Sequence, residues 1–176
     1  ILLEWNLLYL KQVLHTGVAD IIKYEGWFES FFPPKQYRNI IVPRVKKIVD
    51  MVHAAGAKIC YGPRNPPFPL FSIFKEVGFD IFWGCNPMNL GSGFEQLKKD
   101  VGDRICFWGG VDSYVTLGTR TKRQIEKEVS TAIETLAPGG GFILSAFDSL
   151  DAHTPWRNIK HMIDTWRVKG RYPINL

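Results

Sequence analysis

TKRQIEKEVSTAIETLAPGGGFILSAF, residues 121–147, decides the fold class. Its first part reads as one amphipathic helix (121–138). Ile125, Val129, Ile133 and Leu136 recur three or four residues apart and share a face, with charged residues on the others. Gly139–Gly141 stop the helix, because glycine readily takes the left-handed conformation that closes a helix end. FILSAF (142–147) is then a short apolar run bounded by glycine, which reads as a strand. A helix turned tightly into a buried strand is one half of a βα repeat.

The same rhythm continues outward in both directions. Upstream, DRICFWGG (103–110), FDIFWGC (79–85), AKICYG (57–62) and VADIIKYEG (18–26) are strand-like. Helical patterns separate them at 94–102, 68–78 and 33–56, and residues 2–16 form an amphipathic helix ending at Gly17. Pro33 and Pro34 open the helix at 33–56, Gly56 closes it, and Pro43 inside it predicts a kink or a break. Downstream, 154–170 is the last helix, with Thr154 as the expected N-cap and Pro155 at the first helical position. The strands are apolar on both faces, as strands are when a parallel sheet is buried between helix layers. The fold class is therefore α/β, with two fitting architectures: an open doubly wound sheet or part of a TIM (β/α)8 barrel. A full barrel takes about 250 residues; five of eight βα units are expected here, in one domain over 1–176.

Composition agrees with a folded chain. The 176 residues are 45% hydrophobic and 14% aromatic, too apolar for disorder. No apolar run approaches the roughly 18–20 residues of a membrane span. The N-terminal stretch lacks a basic leader and a small-residue cleavage site, so a cytoplasmic protein is expected. It opens on Ile1 in mid-pattern, which points to a piece of a longer chain. Cys60, Cys85 and Cys106 each lie in a strand-like run, as reduced, buried thiols do. The net charge of +5 is spread among acidic residues, as in KRQIEKE (122–128), and not gathered into a stripe; nucleic acid is not an expected partner. A modest positive field suits an anionic small molecule.

In a parallel α/β sheet, functional side chains gather at the C-terminal strand ends. Those ends supply Glu25 and Trp27; Tyr61, Arg64 and Asn65; Cys85, Asn86 and Asn89; Asp112 and Ser113; and Asp148, Ser149, Asp151 and His153. Asp148, Asp112, Tyr61 and Glu25 are the expected acid/base or polar catalytic residues, since burial can shift a carboxyl into a useful range. Arg64 is expected to take an anionic substrate group, with Asn65, Asn86 and His153 as further substrate contacts. Trp83 and Trp108, each ending a strand, would wall a pocket for a flat ligand. Each has a plainer alternative: a strand-end Asp as a helix cap or Asx turn, a Trp as helix–sheet packing. Gly139–Gly141 precede a strand, so they read as a helix stop and not as a phosphate cradle. His15, His53 and His161 have no ligand partner at i+4, and no metal site is expected.

From Gly109 to Trp166 the chain resembles the uroporphyrinogen decarboxylase superfamily, which holds the haem-pathway decarboxylase and corrinoid-linked methyltransferases. The matching features are Gly109–Asp112, Leu117–Thr119, Pro138–Ile143, Thr154–Pro155 and Asn158, with GVADII, HAAGAKI and KEVGFDIF upstream. The resemblance implies a (β/α)8 barrel of which this chain is the C-terminal five-eighths. Asn65 and Asp112 match the family's Asn and Asp. The methyltransferase branch binds zinc through His-x-Cys plus a later Cys, whereas Tyr61-Gly62-Pro63 and SAFDS (145–149) stand there. The decarboxylase branch carries a His after the last strand, where Asp148 stands, and its catalytic Asp lies in an N-terminal portion outside this chain. The resemblance thus implies a methyltransferase-like enzyme for a small methyl donor or a tetrapyrrole/corrinoid-linked substrate, with no cofactor bound by a recognisable motif and a corrinoid carried on a partner protein. A cofactor-free porphyrinogen decarboxylase is the second expectation. The third is a silent barrel fragment that assembles with a partner, since an open sheet exposes unpaired edges; a homo-oligomer or a missing N-terminal half would cover them.

Overall fold

The computed structural model describes residues 2–26, 32–63, 69–86 and 93–174. Five strands stand in the order β1-β2-β3-β4-β5 in one sheet. The chain divides into two compact units, Ile1–Trp83 and Gly84–Leu176.

The first unit opens with α1 (Leu2–His15) and β1 (Ile21–Gly26). A short helical turn at Pro34–Gln36 passes through a π-helical turn, Tyr37–Ile41, into α2 (Val42–Ala54). The expected break at Pro43 is thus a widened turn. Pro43 has no N–H to donate, and the ladder slips so that the Val42 N–H reaches the Tyr37 carbonyl. β2 (Lys58–Pro63), α3 (Pro69–Val77) and the start of β3 (Ile81–Cys85) complete this unit. β1 and β2 pair in parallel from Ile21–Lys58 to Gly26–Pro63, and β2 meets β3 at Cys60–Ile81 and Tyr61–Phe82. The core is aromatic: Tyr61 stacks on Phe79 with centroids 4.2 Å apart and meets Phe74 edge-on at 4.9 Å.

In the second unit, α4 (Gly93–Val101) leads to β4 (Cys106–Asp112). A short helix α5 (Thr116–Thr119), α6 (Lys122–Leu136), β5 (Phe142–Phe147) and α7 (Trp156–Lys169) follow. β4 and β5 pair in parallel from Phe107–Phe142 to Asp112–Phe147. Val111, Leu117, Ile125, Val129 and Ile133 form a buried cluster against Phe142 and Leu144, using the stripe read from the sequence. A capping box starts α6: the Thr121 hydroxyl accepts from the Gln124 backbone N–H while the Gln124 side-chain Oε1 accepts from the Thr121 N–H. Lys98 closes its other end by donating to the Leu136 and Gly140 carbonyls, each at 2.9 Å.

Four expectations are corrected. β1 and β5 are not buried on both faces; side chains such as Ile21 and Ile143 are exposed, because each strand stands at an edge of the sheet. β4 runs over Cys106–Asp112 rather than 103–110, so Asp112 closes the strand. Thr154 does not cap the last helix; Pro155 is the N-cap without a side-chain bond, and the Thr154 N–H goes to Asp151. Thr116–Thr119, expected as an approach to α6, is a helix of its own.

At the N-terminal strand ends of the first unit, Asp80 ties three elements together. One carboxylate oxygen accepts from the Ile59 N–H at 2.9 Å and lies 2.8 Å from His53 Nε2; the other accepts from Lys58 Nζ at 3.1 Å. Burial works to raise the Asp80 carboxyl, but the Ile59 N–H, His53 and Lys58 outweigh it and hold it below its ordinary value. A depressed folded-state value stabilises the fold above the unfolded value of about 3.9 and loses that contribution as pH falls through the folded value. Asp80→Asn should therefore lower stability at pH 7 by about 1–2 kcal/mol in urea unfolding. The gap from wild type should narrow below about pH 3.9.

Candidate functional site

The richest polar cluster at a described strand end is centred on Asp112. Its approach is glycine. At Gly109, where φ is +141°, an added Cβ would stand 2.8 Å from the Cys85 carbonyl oxygen. β3 and β4 come together there only because no side chain intervenes. The strand then delivers Asp112, whose side chain is buried. Its Oδ1 accepts from the Val115 N–H at 2.6 Å and the Thr116 N–H at 3.4 Å, turning the chain into α5. Its Oδ2 accepts from Asn86 Nδ2 at 2.9 Å. Asp112 is thus both a helix cap and the group that orients a buried amide at the end of β3.

Glu128, about two turns into α6 at the edge of its packed face, completes the cluster. Its two oxygens accept from the Asp112 N–H and the Thr116 hydroxyl, each at 2.7 Å. Burial pushes the Glu128 carboxyl up and the nearby Asp112 charge adds to that; the two hydrogen bonds and Arg120 pull it partway back. Next to Asp112, the Ser113 hydroxyl is buried and has no hydrogen-bond partner among the described residues. Leaving a buried hydroxyl unsatisfied costs about 1–3 kcal/mol, so the position is held against its own preference.

The other expected site residues fall as follows. Asp148 sits directly after β5 with φ +67°, and its Oδ1 accepts from the Ser149 N–H at 2.9 Å. Asp151 forms an Asx turn with the N–H groups of His153 at 2.7 Å and Thr154 at 3.1 Å, and His153 is exposed. Trp108 is half-buried in this unit, and Asn86 is buried. In the first unit, Tyr61 is buried and its phenol lies 2.9 Å from the Tyr37 phenol, so it belongs to the aromatic core. Glu25 is exposed and pairs with Lys23 at 2.7 Å. The half-buried Trp83 carries the Lys23 ammonium 3.4 Å from its ring centroid. Arg64 and Asn65, like Trp27 and Asn89, lie outside the described residues. The second unit therefore brings Asp112 and Asn86 into contact, while Asp148 and His153 make only local bonds among those described.

Glu128 was not foreseen. Its place three residues after Ile125 and one before Val129 was the available signal: a carboxylate on the edge of an apolar stripe. The cysteines are free, Cys60 and Cys85 buried; burial pushes the Cys85 thiol well above its ordinary value and raises that of Cys106. The zinc of the methyltransferase branch does not fit these residues. Tyr61 stands at the His position with its phenol committed to the core, and no group of three His, Cys, Asp or Glu is placed to hold a metal among the described residues. In the first unit a cleft of about 500 Å³ between the C-terminal halves of α1 and α2 is lined by Lys11, His15 and Met51. No helix among those described is long and apolar enough to cross a membrane.

Parallel βα units with a buried polar cluster at a strand end define an α/β chain of the TIM-barrel type. The chain belongs to the uroporphyrinogen decarboxylase (URO-D) family, whose model matches residues 1–168. It is 22% identical over 160 residues to the uroporphyrinogen decarboxylase of Sodalis glossinidius, covering 89% of this chain and 43% of that one. It is likewise 22% identical over 162 residues to that of Legionella pneumophila, with the same coverage of 89% and 43%. The fold is similar to that of a methyltransferase from Methanosarcina mazei, with a TM-score of 0.76 at 20% identity over 96% of this chain and 48% of that one. The chain thus spans about half the length of the relatives it matches.

Glu128 gives this cluster a pH signature. A carboxyl raised by folding leaves stability intact below the unfolded value of about 4.3 and erodes it as pH rises through the folded value. Glu128→Gln should remove that erosion. The difference in melting temperature between variant and wild type should shift in the variant's favour from pH 4 to pH 7, read by circular dichroism; a difference independent of pH would contradict the raised value.

Proposed function

We propose that this chain carries part of the active site of a methyltransferase-like member of the URO-D family, acting on a small methyl donor or a tetrapyrrole/corrinoid-linked substrate. A corrinoid carried on a partner protein is, in this reading, a second substrate. The observation that carries the proposal is the Asn86–Asp112 contact beside the orphaned Ser113 hydroxyl. Asp112 fixes the Asn86 amide, which orients substrate, and Ser113 offers a hydroxyl that a ligand would satisfy. Asp112 is a positioning residue, since its carboxylate is taken up by Asn86, Val115 and Thr116.

Charge favours this reading over porphyrinogen decarboxylation. The strand ends of the second unit carry Asp112, Asp148 and Asp151, with Glu128 behind them. A substrate bearing several carboxylates would be repelled by that set, whereas a neutral or cationic methyl donor would not.

The test is turnover of the intact protein containing this chain. Methyl transfer from a panel of small donors to free cob(I)alamin is followed by absorbance, and porphyrinogen decarboxylation by chromatography. Methyl transfer is expected, reduced roughly tenfold to a hundredfold in Asp112→Asn, the range of lost orienting contacts. Ser113→Ala should raise the melting temperature while weakening substrate binding. Decarboxylation without methyl transfer, or full methyl transfer in Asp112→Asn, would overturn the proposal.

A further inference from the structure

On one face of the first unit's sheet, three residues assemble around a single positive charge. The Lys23 ammonium lies 3.4 Å from the Trp83 ring centroid and 2.7 Å from Glu25 Oε1. Register explains the meeting. Lys23 is opposite Cys60, which is opposite Ile81, and two residues further along, Glu25 is opposite Gly62. Side chains two apart share a face, so Lys23, Glu25 and Trp83 rise from the same surface. Cys60 and Ile81, the preceding layer of that face, are buried and give it an apolar floor. Gly62 keeps the place open: a Cβ there would stand 3.0 Å from Trp83 Cε3 and 3.4 Å from Lys23 Cε.

We propose that Trp83 and Glu25 form a receptor for a small alkylammonium head group, and that Lys23 is a tethered cation occupying it. An aromatic face with one carboxylate is the chemistry that recognises ammonium and quaternary ammonium groups. The Trp supplies its negative face, the carboxylate supplies charge, and the apolar floor suits the methyl groups that a quaternary head presents. The tether accounts for the resident charge, because a lysine on the same strand face arrives at high effective concentration. Lys23 and Glu25 are about two-fifths exposed, at 38% and 43%, so a ligand can reach both. The inference concerns binding alone and does not rest on the methyltransferase reading.

Tetramethylammonium chloride is titrated into the protein at constant ionic strength, with tert-butanol as a neutral probe of similar shape, and binding is followed by calorimetry. Wild type is expected to bind weakly, because the ligand competes with Lys23. Lys23→Ala vacates the place and should bind roughly tenfold more tightly, a gain that misfolding cannot produce. Lys23→Ala/Glu25→Gln and Lys23→Ala/Trp83→Leu should return to wild-type affinity or below, and Lys23→Ala/Trp83→Phe should fall between. Tert-butanol should not bind. No gain in Lys23→Ala, equal affinity for the neutral probe, or unchanged affinity without Trp83 would each overturn the proposal.

Discussion

The organisation of the second unit depends on how one carboxylate is shared. Asp112 closes β4, and its oxygens reach forward to the Val115 and Thr116 N–H groups and sideways to Asn86, while its own N–H is held by Glu128. Strand β4, helix α5, helix α6 and the end of β3 therefore meet at a single residue. A buried charge is tolerable only when its lone pairs are taken. The donors that satisfy it also dictate the direction of the chain after the strand. The group that turns the backbone also holds the Asn86 amide.

Much of this fold was legible because its signals are periodic. The stripe Ile125, Val129, Ile133 and Leu136 is a property of spacing, and it packs as spacing demands. The strand-end rule picked out Asp112 and Asn86, and the two touch. What sequence could not supply was partnership across distance. Tyr61 sits at a strand end, but its alternation puts it on the face covered by helices, where Tyr37, Phe74 and Phe79 close around it. Glu25 and Trp83 fall on the other face. A strand-end list treats the two faces alike, although a shift of one residue reverses which way a side chain looks. Glu128 was hidden for a related reason: within KRQIEKE, only the helix axis distinguishes the carboxylate beside the stripe from Glu126, which is exposed.

Asp80 and Asp112 show the same chemistry put to different ends. Each follows from a carboxylate accepting backbone and side-chain donors from several elements. Asp80 stands before β3, where its partners are Ile59, Lys58 and His53 and where conserving geometry serves stability. Asp112 is the last residue of β4, at the strand end where parallel α/β folds gather functional side chains. Position along the strand, not residue type, separates the two, which is why the proposed function rests on Asp112 and not on Asp80.

The electrostatics of the two units point to ligands of the same sign by independent routes. In the second, burial raises the Glu128 carboxyl and the Asp112 charge adds to it, so a further anion would be disfavoured beside the pair. In the first, a carboxylate and an indole face already hold a cation. The net charge of +5 predicts the reverse preference, an anionic small molecule. In the proposed reading local arrangement counts for more than net charge, because many of the lysines and arginines lie on helix surfaces where solvent screens them, whereas Glu128 and Asp112 are withdrawn from water and act at short range.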